Sequence, residues 1–199
     1  MSSASNPSRS PSTGVKLESM QPVLVIIDIQ RDYFPGGRHP LVGPDAAADA
    51  AEKVLSWQRR QGAPVIHVRH ESPAGGGFLE VDTDGAEIDF RVAPTADETL
   101  IVKHAPNSFV GTDLDDRLRA LGDRPLLVAG MMTSMCVDAT VRAAIDLGYD
   151  VTVVGDACAA PDLAHDGVEV DGRTVHTAFL AALSGAGATV VTSAEVVAG

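Results

Sequence analysis

Six short apolar runs, separated by segments with helical periodicity, constrain the fold of this chain more than any other feature. The runs are rich in β-branched residues and occupy residues 23–27, 64–68, 99–102, 126–129, 151–154 and 188–191. Continuous apolar runs are typical of strands buried on both faces of a parallel sheet. The segments between them that space apolar residues as a helix does are 45–61, 113–121, 134–147 and 173–184. Strands that alternate with helices form right-handed βαβ units. We therefore predict an α/β fold with three layers, α-β-α, around a doubly wound, Rossmann-like, mostly parallel six-stranded sheet.

The length of the chain indicates the number of domains, and its net charge indicates which classes of partner are excluded. The chain has 199 residues, which at ~150 residues per domain indicates one domain. We place that domain at residues 21–199, after a Ser/Pro-rich tail at 1–20 that we expect to be disordered. There are 15 Lys and Arg against 27 Asp and Glu, a formal charge of −12. So acidic a surface repels phosphate backbones and anionic lipid, so we expect neither nucleic acid nor a membrane as partner.

The sequence also indicates the cellular compartment in which we expect the protein. No apolar run approaches the ~20 residues that cross a bilayer, and residues 1–20 lack the apolar stretch of a signal peptide. Two cysteines, Cys136 and Cys158, do not make a disulfide framework in a chain of this size. We expect a cytoplasmic protein.

Residues 71–98 interrupt the alternation of strands and helices. This segment is Gly-rich, acidic and weakly periodic. A loop of that length in a compact domain is often a functional cover or faces a partner. A plain surface insertion is an equal alternative. Its Gly75-Gly76-Gly77 run lacks the Lys-Ser/Thr that completes a phosphate-binding loop.

Reactive side chains follow five of the predicted strands where each strand ends. They are Asp28, His70, Lys103, Cys136 and Asp156. In an open parallel sheet the carboxyl ends of the strands form the ligand site. A carboxylate, an amine and a thiol distant in sequence should therefore meet at one edge of the sheet.

Cys136 is the most informative of these residues. It lies just past the fourth strand, in the first turn of a predicted helix, where the free amides favour a thiolate and can receive an oxyanion. A cysteine alone is more often packed and inert. Asp28 and Lys103 taken singly also have ordinary interpretations, as a turn cap and a solvated charge. Together the three make a nucleophile, a proton acceptor and a fixed positive charge.

Three motifs resemble those of the isochorismatase-like cysteine hydrolase superfamily, which includes nicotinamidases, N-carbamoylsarcosine amidases and isochorismatases. They are VLVIIDIQRDYF at residues 23–34, VKHAPNSFVGTDL at 102–114 and GMMTSMCVDATVRAAIDLGYDVTVVGDA at 130–157. They occur in the family's order, and the likeness runs from about Pro22 to the C-terminus.

The resemblance implies a set of roles. The triad would be Asp28, Lys103 and Cys136, and the oxyanion hole would be the backbone amides of Met132 and Cys136. The family's cis peptide would fall between Met131 and Met132. The implied reaction is hydrolysis of a C–N bond in a small amide or carbamoyl compound through a thioester, without a cofactor. The resemblance also implies a homodimer or homotetramer.

The metal of the nicotinamidases is not expected here. Those enzymes bind it through an Asp-x-His pair and a further His, and the equivalent region lacks that pair. His39, His67 and His70 remain, but scattered histidines make a weak ligand set. His67 has the place of a core residue within a strand, and we expect no metal.

Further candidates surround the predicted site. Tyr33, Phe34 and Phe109 could wall an apolar slot, with core packing as the alternative for each. His70, at the end of its strand, is a candidate substrate contact or a surface polar residue. We interpret Cys158 as structural and His176 as a packing or interface residue.

Other functions stay open at this point. Isochorismatases of the same superfamily cleave a vinyl ether, some without the cysteine, and a catalytically silent member would be a binding or scaffold module. The filled triad positions argue against both. A nucleotide-binding Rossmann protein would carry a glycine-rich motif after its first strand. Residues 28–31 stand in that place and contain no glycine, which argues against this function.

Overall fold

The six expected strands form one parallel sheet. The computed structural model describes residues 21–122 and 124–198, so the predicted tail at 1–20 lies outside the described residues. The strands are β1 (Val23–Ile27), β2 (Val65–His70), β3 (Thr99–Lys103), β4 (Leu126–Met131) and β5 (Val151–Ala159), with β6 (Leu163–His165) and β7 (Val168–Val170) preceding β8 (Thr189–Val191). The sheet order is β3-β2-β1-β4-β5-β8, and each neighbouring pair is parallel. The predicted architecture is confirmed.

Helices cover both faces of this sheet. They are α1 (Pro44–Arg60), α2 (Leu114–Ala120), α3 (Asp138–Asp146), α4 (Gly172–Gly185) and α5 (Ser193–Ala198). Even-numbered residues of β1, such as Leu24, pack in a core with α1 and α5. Odd-numbered ones, such as Val25, pack in a second core with α2, α3 and α4. Because β1 is buried on both faces, its unbroken apolar sequence is explained. Among the described residues, no helix combines the length and apolarity needed to span a bilayer.

The order in which strands are added across the sheet reverses at β1, and this reversal determines where the site lies. Successive strands run outward from β1 through β2 to β3 on one side, whereas β4, β5 and β8 follow on the other. The loops after β1 and β4 therefore diverge at a topological switch point, where such sheets bind ligands.

Three elements differ from the sequence prediction, and the first is α5 (Ser193–Ala198), which no predicted helical segment covers. β6 and β7 form an antiparallel hairpin outside the main sheet, and all six of its residues are exposed. Its turn holds Asp166 and Gly167, a pair that signals a hairpin, but the flanking runs of three residues are too short to stand out. The predicted helix 134–147 is also two elements. A π turn covers Thr133–Val137, and regular α3 begins only at Asp138.

The 71–98 segment is ordered by the loop that follows β1. Gln30 donates its side-chain amide to the carbonyls of His70 and Ala86, at 2.8 and 2.7 Å. The carboxylate of Asp32 accepts the backbone amide of Leu79 at 2.7 Å. The segment is therefore fastened to the same loop that starts at the end of β1.

Candidate active site

Asp28 and Lys103 form a wholly buried ion pair at the carboxyl edge of the sheet. Asp28 follows β1 and has a positive φ of 50°, while Lys103 is the last residue of β3. The side chain of Lys103 reaches across β2, which lies between them, and its Nζ is 2.6 Å from Asp28 Oδ2 with both side chains at 0% exposure. Lys103 Nζ also donates to the carbonyl of Ala105 at 2.9 Å. The two groups predicted from distant motifs are therefore in direct contact.

Cys136 lies beside this pair. It belongs to the π turn between β4 and α3 and is 5% exposed. It is close enough to both for the charges of Asp28 and Lys103 to act on the pKa of its thiol, in opposite directions. The three side chains that the sequence assigned to one edge thus meet there, from the ends of β1, β3 and β4.

The resting state of Cys136 differs from the expected thiolate. Burial, followed by the charge of Asp28, raises the pKa of the thiol to about 12, and Lys103 only partly opposes this. Regular helix begins after Cys136, at Asp138, so the residue does not sit at the helix start that the sequence suggested. Cys136 is therefore a neutral thiol near neutral pH.

Asp28 is a stronger base than an exposed carboxylate. Burial raises its pKa above the ordinary value of 3.8, while the positive charge of Lys103 opposes that shift. A carboxylate with a raised pKa beside a neutral thiol can accept the thiol proton when the sulfur reacts.

The turn that carries Cys136 has an unusual backbone. The Met131–Met132 peptide is cis, as the resemblance implied. The carbonyl of Met132 accepts hydrogen bonds from the backbone amides of Met135 and Val137, each at 3.1 Å. The amide of Cys136, which lies between them in sequence, does not donate to this carbonyl. Thr133 is wholly buried, and its hydroxyl lies 2.9 Å from Nδ1 of His176.

Tyr33 lies near the triad. It is 1% exposed, and burial, followed by the charges of Asp28 and Cys136, raises the pKa of its phenol well above 10.0. Its ring meets that of Phe78 edge-on, with centroids 5.5 Å apart. Phe78 was missed by the sequence analysis, because a lone aromatic in a Gly-rich segment carries no pattern.

The other two aromatic candidates have different surroundings. Phe34 packs in the same core cluster as Met132 and lies under the guanidinium of Arg91, 4.9 Å from its ring centroid. Phe109 stacks on Tyr149, with centroids 6.2 Å apart, and packs against the core shared with α2 and α3. Its contacts are those of the packing alternative, and its role as a pocket wall stays a prediction.

His70 contacts the ion pair directly. Its Nδ1 is 3.3 Å from Lys103 Nζ. Burial, followed by the charges of Lys103 and His104, lowers the pKa of His70 to about 4. His70 is therefore neutral at physiological pH and lies one contact away from Asp28.

Three remaining candidates have structural surroundings. His67 is buried within β2, with its Nε2 3.0 Å from Glu98. Cys158 is buried and donates its thiol to the carbonyl of Val154. Asp156 is a correction to the sequence analysis: β5 continues past it to Ala159, and its carboxylate accepts the amide and hydroxyl of Ser193, at 2.6 and 2.7 Å, at the start of α5. It therefore caps a helix.

Potential metal ligands are scattered over the described part of the chain. Within residues 21–122 and 124–198, no three His, Cys, Asp or Glu side chains gather as a metal site would require. The expectation of a metal-free site stays a prediction that a chelator can test.

Comparison with known proteins supplies the family context. Residues 22–195 match the family profile described as "Isochorismatase domain". An uncharacterized isochorismatase family protein, YddQ of Bacillus subtilis, is 48% identical over 175 residues, covering 87% of this chain and 97% of that protein.

Solved structures agree with the sequence comparison. The crystal structure of a putative isochorismatase hydrolase from Oleispira antarctica has a TM-score of 0.88 and 44% identity, covering 94% of this chain and all (100%) of that one. The N-carbamoylsarcosine amidase of Thermoplasma acidophilum has a TM-score of 0.71 and 30% identity, covering 87% of this chain and 97% of its own.

Proposed function

The chain belongs to the isochorismatase family of hydrolases, and on that premise we propose that it is a cysteine hydrolase. The substrate would be a small amide or carbamoyl compound whose C–N bond is cleaved through a thioester. The observation that carries this proposal is the buried Asp28–Lys103 ion pair, whose two charges act on the thiol of Cys136. The name of the amidase with a similar structure supports C–N bond cleavage.

Acylation begins with a neutral thiol. As Cys136 Sγ attacks the carbonyl carbon, the thiol proton passes to Asp28 and the electrons of the C=O bond move onto oxygen. The amides of Met132 and Cys136 receive that oxyanion, and such donors are worth ~3 kcal/mol each. Burial raises the pKa of both Cys136 and Asp28. The proton therefore moves between two groups whose charged forms are both disfavoured in the protein interior.

Collapse of the intermediate completes the cycle. The C–N bond breaks, Asp28 returns its proton to the leaving nitrogen, and an acyl thioester stays on Cys136. Water then attacks this thioester with Asp28 as general base, and an acid leaves while the thiol is restored. Lys103 holds positive charge against Asp28 throughout and stabilises its ionised form.

The surroundings of the triad favour a compact substrate. Tyr33, Phe34 and Phe78 supply apolar area on one side, and neutral His70 supplies a polar contact next to Lys103. We also propose a cytoplasmic location and a homodimer or homotetramer. The free state of both cysteines supports the reducing compartment.

A substrate panel tests the reaction class. Primary amides, N-carbamoyl compounds and lactams are incubated with the protein, with and without chelator, and release of ammonia or acid is measured. We expect turnover that survives the chelator, is lost in Cys136→Ala and persists in Cys158→Ala. Turnover that survives in Cys136→Ala would overturn the cysteine mechanism and favour vinyl-ether cleavage.

A further inference from the structure

A histidine outside the triad holds the turn on which Cys136 sits. Nδ1 of His176 on α4 is 2.9 Å from Oγ1 of Thr133. Thr133 is wholly buried and is the first residue of the π turn, directly after Met132 and three residues before Cys136. The contact therefore lies between the two amides proposed to receive the oxyanion.

Both ends of this contact are fixed by their own elements. The start of α4 is secured by Asp171, whose side chain accepts the amides of Arg173 and Thr174 at 3.1 Å. Val175, next to His176, is buried in the described fold. The helix thus presents the imidazole at a defined position, and α4 packs against the π turn.

Within the described part of the chain, His176 makes no hydrogen bond to Asp28, Lys103 or Cys136, and its hydrogen-bond partner is Thr133. His176 is half-buried, and burial lowers its pKa below 6.5, so it is neutral at physiological pH. A neutral imidazole satisfies the buried hydroxyl of Thr133, which without a partner would be free to rotate or to draw in water.

We propose that His176 is a positioning residue for the oxyanion hole. By holding Thr133, it orients the Met132 and Cys136 amides toward the point where negative charge develops. This inference rests on the proposed use of those two amides. It predicts that His176 affects reactions that form an oxyanion and spares reactions of the thiol that form none.

Two reactions of Cys136 separate these effects. With isobutyraldehyde the thiol adds across the C=O bond. An S–C bond forms, the oxygen passes through an oxyanion, and the thiol proton ends on that oxygen. With iodoacetamide an S–C bond forms as the C–I bond breaks, iodide leaves and the thiol proton goes to water, so no oxyanion arises. Aldehyde binding is measured as protection of Cys136 from labelling, followed by mass spectrometry.

The variants are chosen to match one another. His176→Leu removes the polar contact, whereas His176→Asn keeps a polar atom close to the position of Nδ1. Thr133→Val removes the other partner, and His165→Leu is the control, because His165 is exposed on the β6–β7 hairpin. We expect His176→Leu to weaken aldehyde binding about tenfold, with the iodoacetamide rate within about twofold of the unsubstituted protein. His176→Asn restores most of the binding, and adding Thr133→Val to His176→Leu causes little further loss.

Three results would overturn the inference: unchanged aldehyde binding in His176→Leu, equal losses in both reactions, or additive losses in the double variant. If the unsubstituted protein does not bind the aldehyde, the substrate panel decides on the proposed function, and hydrogen exchange decides on His176 separately. Faster amide exchange across residues 132–137 in His176→Leu, but not in His176→Asn or His165→Leu, supports its hold on the turn. Unchanged exchange refutes it.

Discussion

Lys103 Nζ lies 2.6 Å from Asp28 Oδ2, and neither side chain is exposed to solvent. Each charge is stable in the interior because the other is present, since a lone buried charge is costly. The pair therefore links the stability of the fold to its chemistry.

Removing one partner of this pair should cost more stability than removing both. Lys103→Met leaves Asp28 uncompensated, which we expect to lower the free energy of unfolding by about 3 to 5 kcal/mol. Asp28→Asn leaves the ammonium of Lys103 without its counter-charge. The double variant should be more stable than the sum of the single losses predicts, as measured by urea unfolding. Strict additivity would show that the pair does not act as a unit.

The pH dependence of Cys136 labelling should reveal the protonated thiol. Burial and Asp28 raise its pKa to about 12, so the thiolate fraction below that value grows tenfold per pH unit. We expect the iodoacetamide rate of Cys136 to rise throughout the range from pH 7 to 10, measured in a Cys158→Ala background. A rate that levels off near pH 8.5, the ordinary thiol value, would contradict the burial of this thiol.

The sequence predicted the layers and the meeting of the triad because both follow from pattern and topology. Unbroken apolar runs required a sheet buried on both faces, and parallel strands bring Asp28, Lys103 and Cys136 to one edge. These conclusions need no knowledge of side-chain packing.

The protonation state of Cys136 was beyond the sequence, since it depends on burial and on the exact start of α3. The contact of Phe78 with Tyr33 and the contact of Thr133 with His176 could not be predicted from the sequence either. Each joins residues more than 40 positions apart whose pairing leaves no periodic signal.

Gly130 should tolerate no side chain. It lies in β4 opposite Ile27 with φ of 153°, and an added Cβ would lie 2.2 Å from the carbonyl oxygen of Ile27. We expect Gly130→Ala to lower the free energy of unfolding by about 3 kcal/mol or more. Gly148→Ala is the matched control, because it also has positive φ (90°) but faces open space, and strain alone costs ~1 kcal/mol. Equal losses in thermal or urea unfolding would show that the contact with Ile27 is unimportant.

Glu98 should make the protein sensitive to acid. Its burial acts to raise its pKa, but hydrogen bonds from Arg59, Thr95 and His67 outweigh that and lower the pKa to about 2. A carboxylate with a lowered folded pKa stabilises the fold above its unfolded value of 4.5, and this stabilisation is lost as the pH falls from 4.5 toward 2. The loss should be about 2 to 3 kcal/mol.

His67 adds to the same trend, because burial lowers its pKa below the unfolded value of 6.5, so that below pH 6.5 the unfolded chain takes up a proton more readily than the folded one and stability falls. Urea midpoints measured at pH 7, 4.5 and 3 should fall more steeply for the unsubstituted protein than for Glu98→Gln. The exposed Glu52 provides the control variant Glu52→Gln. A slope unaltered by Glu98→Gln would assign the acid sensitivity elsewhere.

Asp32 should control the opening of the 71–98 segment over the triad. Its carboxylate is 4% exposed and accepts the amides of Leu79 at 2.7 Å and Arg38 at 3.1 Å. Asp32→Asn turns an NH₂ group toward one of these donors, which breaks that bond without changing the volume of the side chain. We expect several-fold faster chymotrypsin cleavage after Phe78, and faster iodoacetamide labelling of Cys136, since Phe78 packs on Tyr33 beside the triad.

The exposed Asp82 gives a control on the same segment, and Asp82→Asn should change neither rate. Cleavage that quickens only in proportion to a fall in global stability would mean that the segment opens by unfolding of the whole domain. Cleavage that quickens while the urea midpoint of the domain holds would locate the motion in residues 71–98. Access to Cys136 would then depend on a hydrogen-bonded carboxylate four residues after Asp28.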